Sequence, residues 1–384
     1  MFSCCTSRGP TELQKLGVGE CTQFEKKILE STGMKEKDDF KIYNQGISGG
    51  KHIHTIEAGF KNKQQVVLVH GYGATGVFYY KMIAQLRFSF HVYAIDLFGF
   101  GQSSRPAITD FSYNKCCMFF LDPFEEWRIS LGIDDFVLVA HSMGGYLMTQ
   151  YMRIKKPPVK MFYLVSPAGF TLKTVDEIKE RMSQYVSGFK MLTIKFSFYL
   201  MEDLRMSPFH LMFMNRDQAL DNYFKNERMN MSEDEAKLFI EYFKLILNQA
   251  PCGEKALGSF LFYGCYSKNP LCDTLAKIRD DICNVRIFYG DADWMDFEHA
   301  IEVNLRKIKY DIQIVPNAGH QIILQNPNFL CKVMLEDLHS NYDPYKYFEQ
   351  EYRQLAQYSY LTLDKGLLKF LGKNASDLTM MREQ

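Results

Sequence analysis

The sequence predicts an α/β chain, a mainly parallel sheet flanked by helices and interrupted by a helical insertion. Three observations carry that expectation. Short apolar, often β-branched runs alternate with helix-length stretches from about residue 53 to 170. The alternation stops after Phe170 and gives way to mostly helical patterns rich in Met and Phe, from about 172 to 275. Strand-like runs then return at 285–289 and 312–315.

The first strong run, 66–69, is β-branched and suits a strand covered on both faces. Further runs follow at 92–95, 136–140 and 161–165. Helical stretches at 77–87, 122–131 and 143–155 separate them, which implies right-handed crossovers and parallel pairing. Within the insertion, Ser232-Glu-Asp-Glu235 reads as a capping box that opens a helix. Its continuation, 236–247, is apolar on nearly all sides, so burial between other elements is expected. The expected layout is an N-terminal extension over 1–50, core over 51–171, a helical lid over 172–275, core over 276–340, and a C-terminal extension over 341–384.

The bulk numbers narrow the classes. A length of 384 residues suits one large domain with an insertion, or two ordinary domains. Lys+Arg and Asp+Glu both number 45, so the basic excess of a nucleic-acid binder is missing. No apolar run reaches the roughly 18–20 residues that span a bilayer. The start, Met-Phe-Ser-Cys-Cys, lacks a secretory apolar stretch, and Phe2 stands where myristoylation needs glycine. The ten cysteines form no C-x-x-C pair, so a zinc framework is not expected and a reduced, cytoplasmic setting is. Cys4 and Cys5 read as plain thiols, with reversible acylation the alternative that would hold the chain peripherally on a membrane.

Ala140-His-Ser-Met-Gly-Gly145 follows a strand and opens a helix. That is the setting of a nucleophile elbow, with Ala in place of its first Gly. The turn is so tight that its neighbours must be small, and Ala140, Gly144 and Gly145 meet that need. Ser142 is therefore the candidate nucleophile. A serine hydroxyl needs a base at neutral pH. His320, in Ala318-Gly-His320 after the 312–315 run, has the right place in chain order. His141 adjoins Ser142, but its side chain is expected to point away. The base needs an orienting carboxylate. Asp293 sits at the usual acid position after the 285–289 run, with Asp296 second and Asp291 a turn residue. The backbone N–H groups of Tyr72 and Met143 are the candidate oxyanion donors. His70 reads as structural. This chemistry requires no metal or organic cofactor.

A rival pattern overlaps the site. Gly71-Tyr-Gly73-Ala-Thr-Gly76 matches a dinucleotide fingerprint, with Asp96 at about the 20-residue spacing such a fold uses. The glycine-rich turn straight after Asp96 argues against it. So does the ordered set Ser142, Asp293, His320, which that reading leaves idle.

These residues resemble the α/β-hydrolase fold family from about residue 60 to 340, apart from the insertion. A narrower resemblance rests on Asp96-Leu-Phe-Gly-Phe-Gly-Gln-Ser-Ser-Arg-Pro106, Phe124-Glu-Glu-Trp-Arg128, Ser166-Pro-Ala-Gly-Phe170 and Gln249-Ala-Pro-Cys-Gly-Glu254. They are similar to a lipid subgroup containing an N-acyl-phospholipid lysophospholipase, a lipid-droplet lipase co-activator and plant relatives. The resemblance implies lipid esters as substrates, glycerophospholipids foremost, and contact with membranes or lipid droplets. The implied alternatives are acyl transfer to lysophosphatidate and a non-catalytic co-activator role; a proline-releasing peptidase shares the fold. The mammalian co-activator has Asn at the nucleophile position, whereas this chain has Ser142. Subgroup members often show H-x-x-x-x-D around the base, and here Gln325 replaces the acid, which weakens the transferase expectation. Met201, Met206, Phe209, Leu211, Met212, Phe213 and Met214 suit either an adaptable apolar lid or an ordinary core. Arg205 and Lys225 are candidate phosphate contacts.

Overall fold

The computed structural model describes residues 12–340 except 61, 63, 171–176, 178–204, 206, 208–215, 227–228, 263–265, 268, 279–283, 296, 298–299, 302–303 and 305–309. Met201, Met206, Phe209, Leu211, Met212, Phe213, Met214, Asp296, Cys4, Cys5 and the segment 341–384 lie outside the described residues.

The sheet is built from β1 (Phe40–Ile47), β2 (Lys51–Ala58), β3 (Gln65–Val69), β4 (His91–Ile95), β5 (Phe136–His141), β6 (Val159–Val165), β9 (Asn284–Gly290) and β10 (Asp311–Val315). Two short strands, β7 (Leu261–Phe262) and β8 (Tyr266–Ser267), pair apart from it. The main order is β1-β2-β4-β3-β5-β6-β9-β10. The β1–β2 and β2–β4 ladders are antiparallel and the other five ladders are parallel. Strand β3 shows why the apolar runs read as they do. Its alternate residues face opposite ways, Val66 and Leu68 into one core layer, Val67 and Val69 into the other. Helices on both faces therefore demand a run without polar gaps.

The sheet begins earlier than residue 51. Strand β1 lies inside the segment assigned to an extension, and α1 (Glu12–Glu30) precedes it, with Cys21, Ile28 and Leu29 buried in the core. Strand β1 lies at the sheet edge, so its sequence lacks the continuous apolar run of the central strands. Lys41, Asn44 and Gln45 interrupt it, as suits a strand with one open side. Helix α2 (Tyr80–Leu86) follows β3 after one 3-10 turn, and α3 (Tyr113–Ser130) starts well before the expected 122. The Asp122-Pro123 pair resembles a helix start, yet Pro123 lies inside α3. Helix α4 (Met143–Lys155) carries the turn of interest.

The insertion contributes α5 (Arg216–Phe224), α6 (Glu233–Leu247), α7 (Leu257–Phe260) and α8 (Leu271–Ile278). Ser232 and Glu235 close the capping box, Oγ accepting from Glu235 N–H at 3.2 Å and the carboxylate accepting from Ser232 N–H at 2.7 Å. Helix α6 is one-sided rather than buried all round. Phe239 and Phe243 pack on Phe78 and Phe224, while Lys237 and Glu241 face solvent. No helix among the described residues is long and apolar enough to cross a membrane.

Candidate active site

Strand β5 ends at His141 and α4 starts at Met143, so Ser142 alone makes the turn. Its backbone is held at φ 53°, ψ −119°. An L-residue there costs roughly 1–3 kcal/mol, a strain that surrounding contacts must hold. They do so by close approach. A β-carbon at Gly144 would lie 2.3 Å from the His70 carbonyl oxygen, which explains the glycine two positions after the serine. Behind the turn, Ser142 N–H donates to Val165 at 2.9 Å and its carbonyl accepts from Ala168 N–H at 3.2 Å.

The two parallel strands at the far side of the sheet supply the partners. His320 follows β10, and its Nε2 is 2.9 Å from Ser142 Oγ. Its Nδ1 is 3.1 Å from Asp293 Oδ1, on the loop after β9. The loops are tied together by Ala292 N–H to the Ala318 carbonyl at 2.9 Å. Asp293 Oδ1 also accepts from Met295 N–H at 3.0 Å. Burial alone would raise the Asp293 carboxyl. The hydrogen bond and charge of His320, with help from Ser166 and Met295 N–H, outweigh it and hold the group below the usual carboxylate range. Asp291 is a turn residue, its carboxylate accepting from Asn317 and Ala318 N–H.

Met143 is the first residue of α4, where an N–H has no partner within the helix. Tyr72 follows Gly71 on the loop after β3, with its ring edge-on to Phe100 and its hydroxyl 3.3 Å from Ser207 Oγ of the insertion. His70 is buried and bonded at both nitrogens, Nδ1–H to the Gly71 carbonyl and Nε2 from Leu97 N–H. Burial pushes its imidazole down to about 4, which fits a neutral structural role.

Three neighbours of the site escaped the sequence. His141 does not turn from the site: its ring lies 4.9 Å from that of His320, and its Nε2 is 2.8 Å from the His320 carbonyl. Trp294, 59% exposed, sits 4.8 Å from His320 on the solvent side. Ser166 is fully buried, with φ 46°. Of the candidate phosphate contacts, Lys225 pairs with Asp221 on α5, while Arg205 reaches Ser259 Oγ at 3.4 Å and lies over the Phe111 ring.

The fingerprint glycines serve the chain itself. Gly76 N–H donates to Asp96 Oδ1 and Gln102 N–H to Oδ2, both at 2.7 Å, so the acid that would bind a ribose closes its own turn. Glu25, His54 and Asp96 form the one group among the described residues able to bring three metal-ligand atoms within 4.8 Å. Each is already engaged by protein donors or acceptors.

The sequence pattern of the α/β-hydrolase fold matches residues 65–327. The chain belongs to that family. An Arabidopsis thaliana protein named 1-acylglycerol-3-phosphate O-acyltransferase is 29% identical over 72% of this chain and 67% of its own length. Its namesake ABHD5 from Sus scrofa is 30% identical over 76% of this chain and 84% of its own length. A Bos taurus (Lyso)-N-acylphosphatidylethanolamine lipase is 26% identical over 73% and 81%. The chain thus spans about two thirds of the plant relative and more of the mammalian ones. Among solved structures, Bacillus subtilis carboxylesterase CesB matches the fold with a TM-score of 0.58 and 17% identity, over 84% of this chain and 99% of that one.

Proposed function

We propose that this member of the family hydrolyses carboxylic esters of lipids, (lyso)phospholipids or acylglycerols, through an acyl-enzyme on Ser142. The observation that supports this most is the unbroken line Ser142 Oγ, His320 Nε2, His320 Nδ1, Asp293 Oδ1. His320 takes the Ser142 proton as Oγ attacks the acyl carbon. Asp293 fixes the imidazole tautomer and stabilises the imidazolium without taking its proton. Met143 and Tyr72 N–H groups receive the tetrahedral oxyanion. His320 then protonates the leaving alcohol, and water releases the fatty acid.

The names of the relatives speak for the lipid class. Such substrates imply peripheral contact with a membrane or droplet surface, from a cytoplasmic setting. The second reading is acyl transfer to lysophosphatidate, favoured by the printed names of the plant and pig relatives. Gln325 speaks against it, since a neutral amide engaged with the Gly319 N–H stands where the subgroup often has an acid. Lipid turnover followed by mass spectrometry, with and without added lysophosphatidate, tests both: free fatty acid marks hydrolysis, and newly diacylated phosphatidate marks transfer.

A further inference from the structure

We propose that His141 is a positioning residue for His320, holding the base loop against the nucleophile strand together with Gln325. The inference rests on the reading of His320 as the base. His141 is the last residue of β5 and the peptide neighbour of Ser142. Its Nε2 faces the His320 carbonyl at 2.8 Å, so Nε2 carries the proton and donates. Its Nδ1 is buried without a hydrogen-bond partner and faces the Gly71 backbone, where a β-carbon would come within 2.9 Å. One imidazole thus touches the base loop, the nucleophile turn and the loop bearing Tyr72. From the other side, Gln325 Oε1 accepts from Gly319 N–H at 2.6 Å. The base loop is therefore held at the His320 carbonyl and at the preceding residue's N–H by two neutral side chains.

Neutrality matters here. A second cation 4.9 Å from the His320 ring would oppose imidazolium formation during attack. Burial first, then the charge of His320, push the His141 imidazole down to about 3 against the pull of the His320 carbonyl. It stays neutral wherever the base can work.

The test compares His141→Gln with His141→Met in the full chain. The two side chains are alike in length, but only Gln carries an N–H that can replace Nε2–H. Two readouts are taken: kcat and KM on a chromogenic short-chain ester across pH, and amide hydrogen exchange of residues 316–325. The Met variant is expected to lose kcat on the order of 10²-fold, with KM within about twofold, because a small shift of the base is costly. The Gln variant is expected to recover to within about fivefold of the parent. Exchange over 316–325 is expected to be faster in the Met variant than in the Gln variant. Equal kcat and equal exchange in the two variants overturn the proposal. Exchange that splits as expected in a parent without turnover keeps the clamp and sinks the ester-hydrolase reading instead. Gln325→Leu is the second release: it removes the acceptor for Gly319 N–H and is expected to speed the same exchange. Unchanged exchange there also counts against the clamp.

Discussion

Gly71 approaches Ser142 so closely that a β-carbon on residue 71 would stand 2.7 Å from the Ser142 β-carbon. The loop after β3 thus lies close against the turn after β5, and in the proposed mechanism that approach sets where an oxyanion would meet the Tyr72 amide. Gly71→Ala is expected to push the two loops apart. Losing one oxyanion donor typically costs about 10²–10³ in rate, so kcat should fall by that order while the fold persists. Steady-state kinetics beside a melting curve checks this. Unchanged kcat would mean that the Gly71 loop has no share in the chemistry.

Asp293 and Asp296 separate cleanly by substitution. Asp293→Asn should reduce kcat by about 10⁴, as loss of the orienting carboxylate does in other triads. Asp296→Asn should leave kcat within about threefold of the parent, as for a residue that does not hold the base. A reversed pattern in kcat would move the acid to Asp296.

The buried group under α1 ties stability to pH. His54 Nε2 is 2.8 Å from Glu25 Oε2, which also accepts from Gln102, and Tyr242 of α6 donates to Glu25 Oε1. Burial opposes protonation of His54, but the charge and hydrogen bond of Glu25 outweigh it and raise its value in the fold. The stabilisation is therefore complete below the unfolded value of about 6.5 and fades as pH rises through the folded one. Asp96 is raised by burial, lowered by His54 and raised again by Glu25, to about 6, so it is half ionised near pH 6 and ionised across the rest of the range up to pH 9. The melting-temperature gap between the parent and His54→Gln should be widest near pH 6 and shrink toward pH 9. A gap that widens with pH would refute the charged pair.

What could be read in the sequence follows from how local each constraint is. The small residues around Ser142 answer to one turn, and Asp293 and His320 each follow an apolar strand run, so all three stand out in order. The structure brings them together. The dinucleotide pattern was equally local, but only the fold shows Asp96 accepting from Gly76 N–H rather than waiting for a ribose. Strand β1 was hidden because an edge strand tolerates Lys41 and Asn44. His141 was hidden because its partner is a backbone carbonyl 179 residues away, which no side-chain pattern records. Helix α6 looked apolar all round until its neighbours showed which face they cover.

The most direct test of the account is the release of fatty acid from a panel of (lyso)phospholipids and acylglycerols, followed by mass spectrometry for the parent and Ser142→Ala. The account predicts release by the parent and a loss on the order of 10⁶-fold in kcat for the variant. Equal release by the two proteins would contradict it.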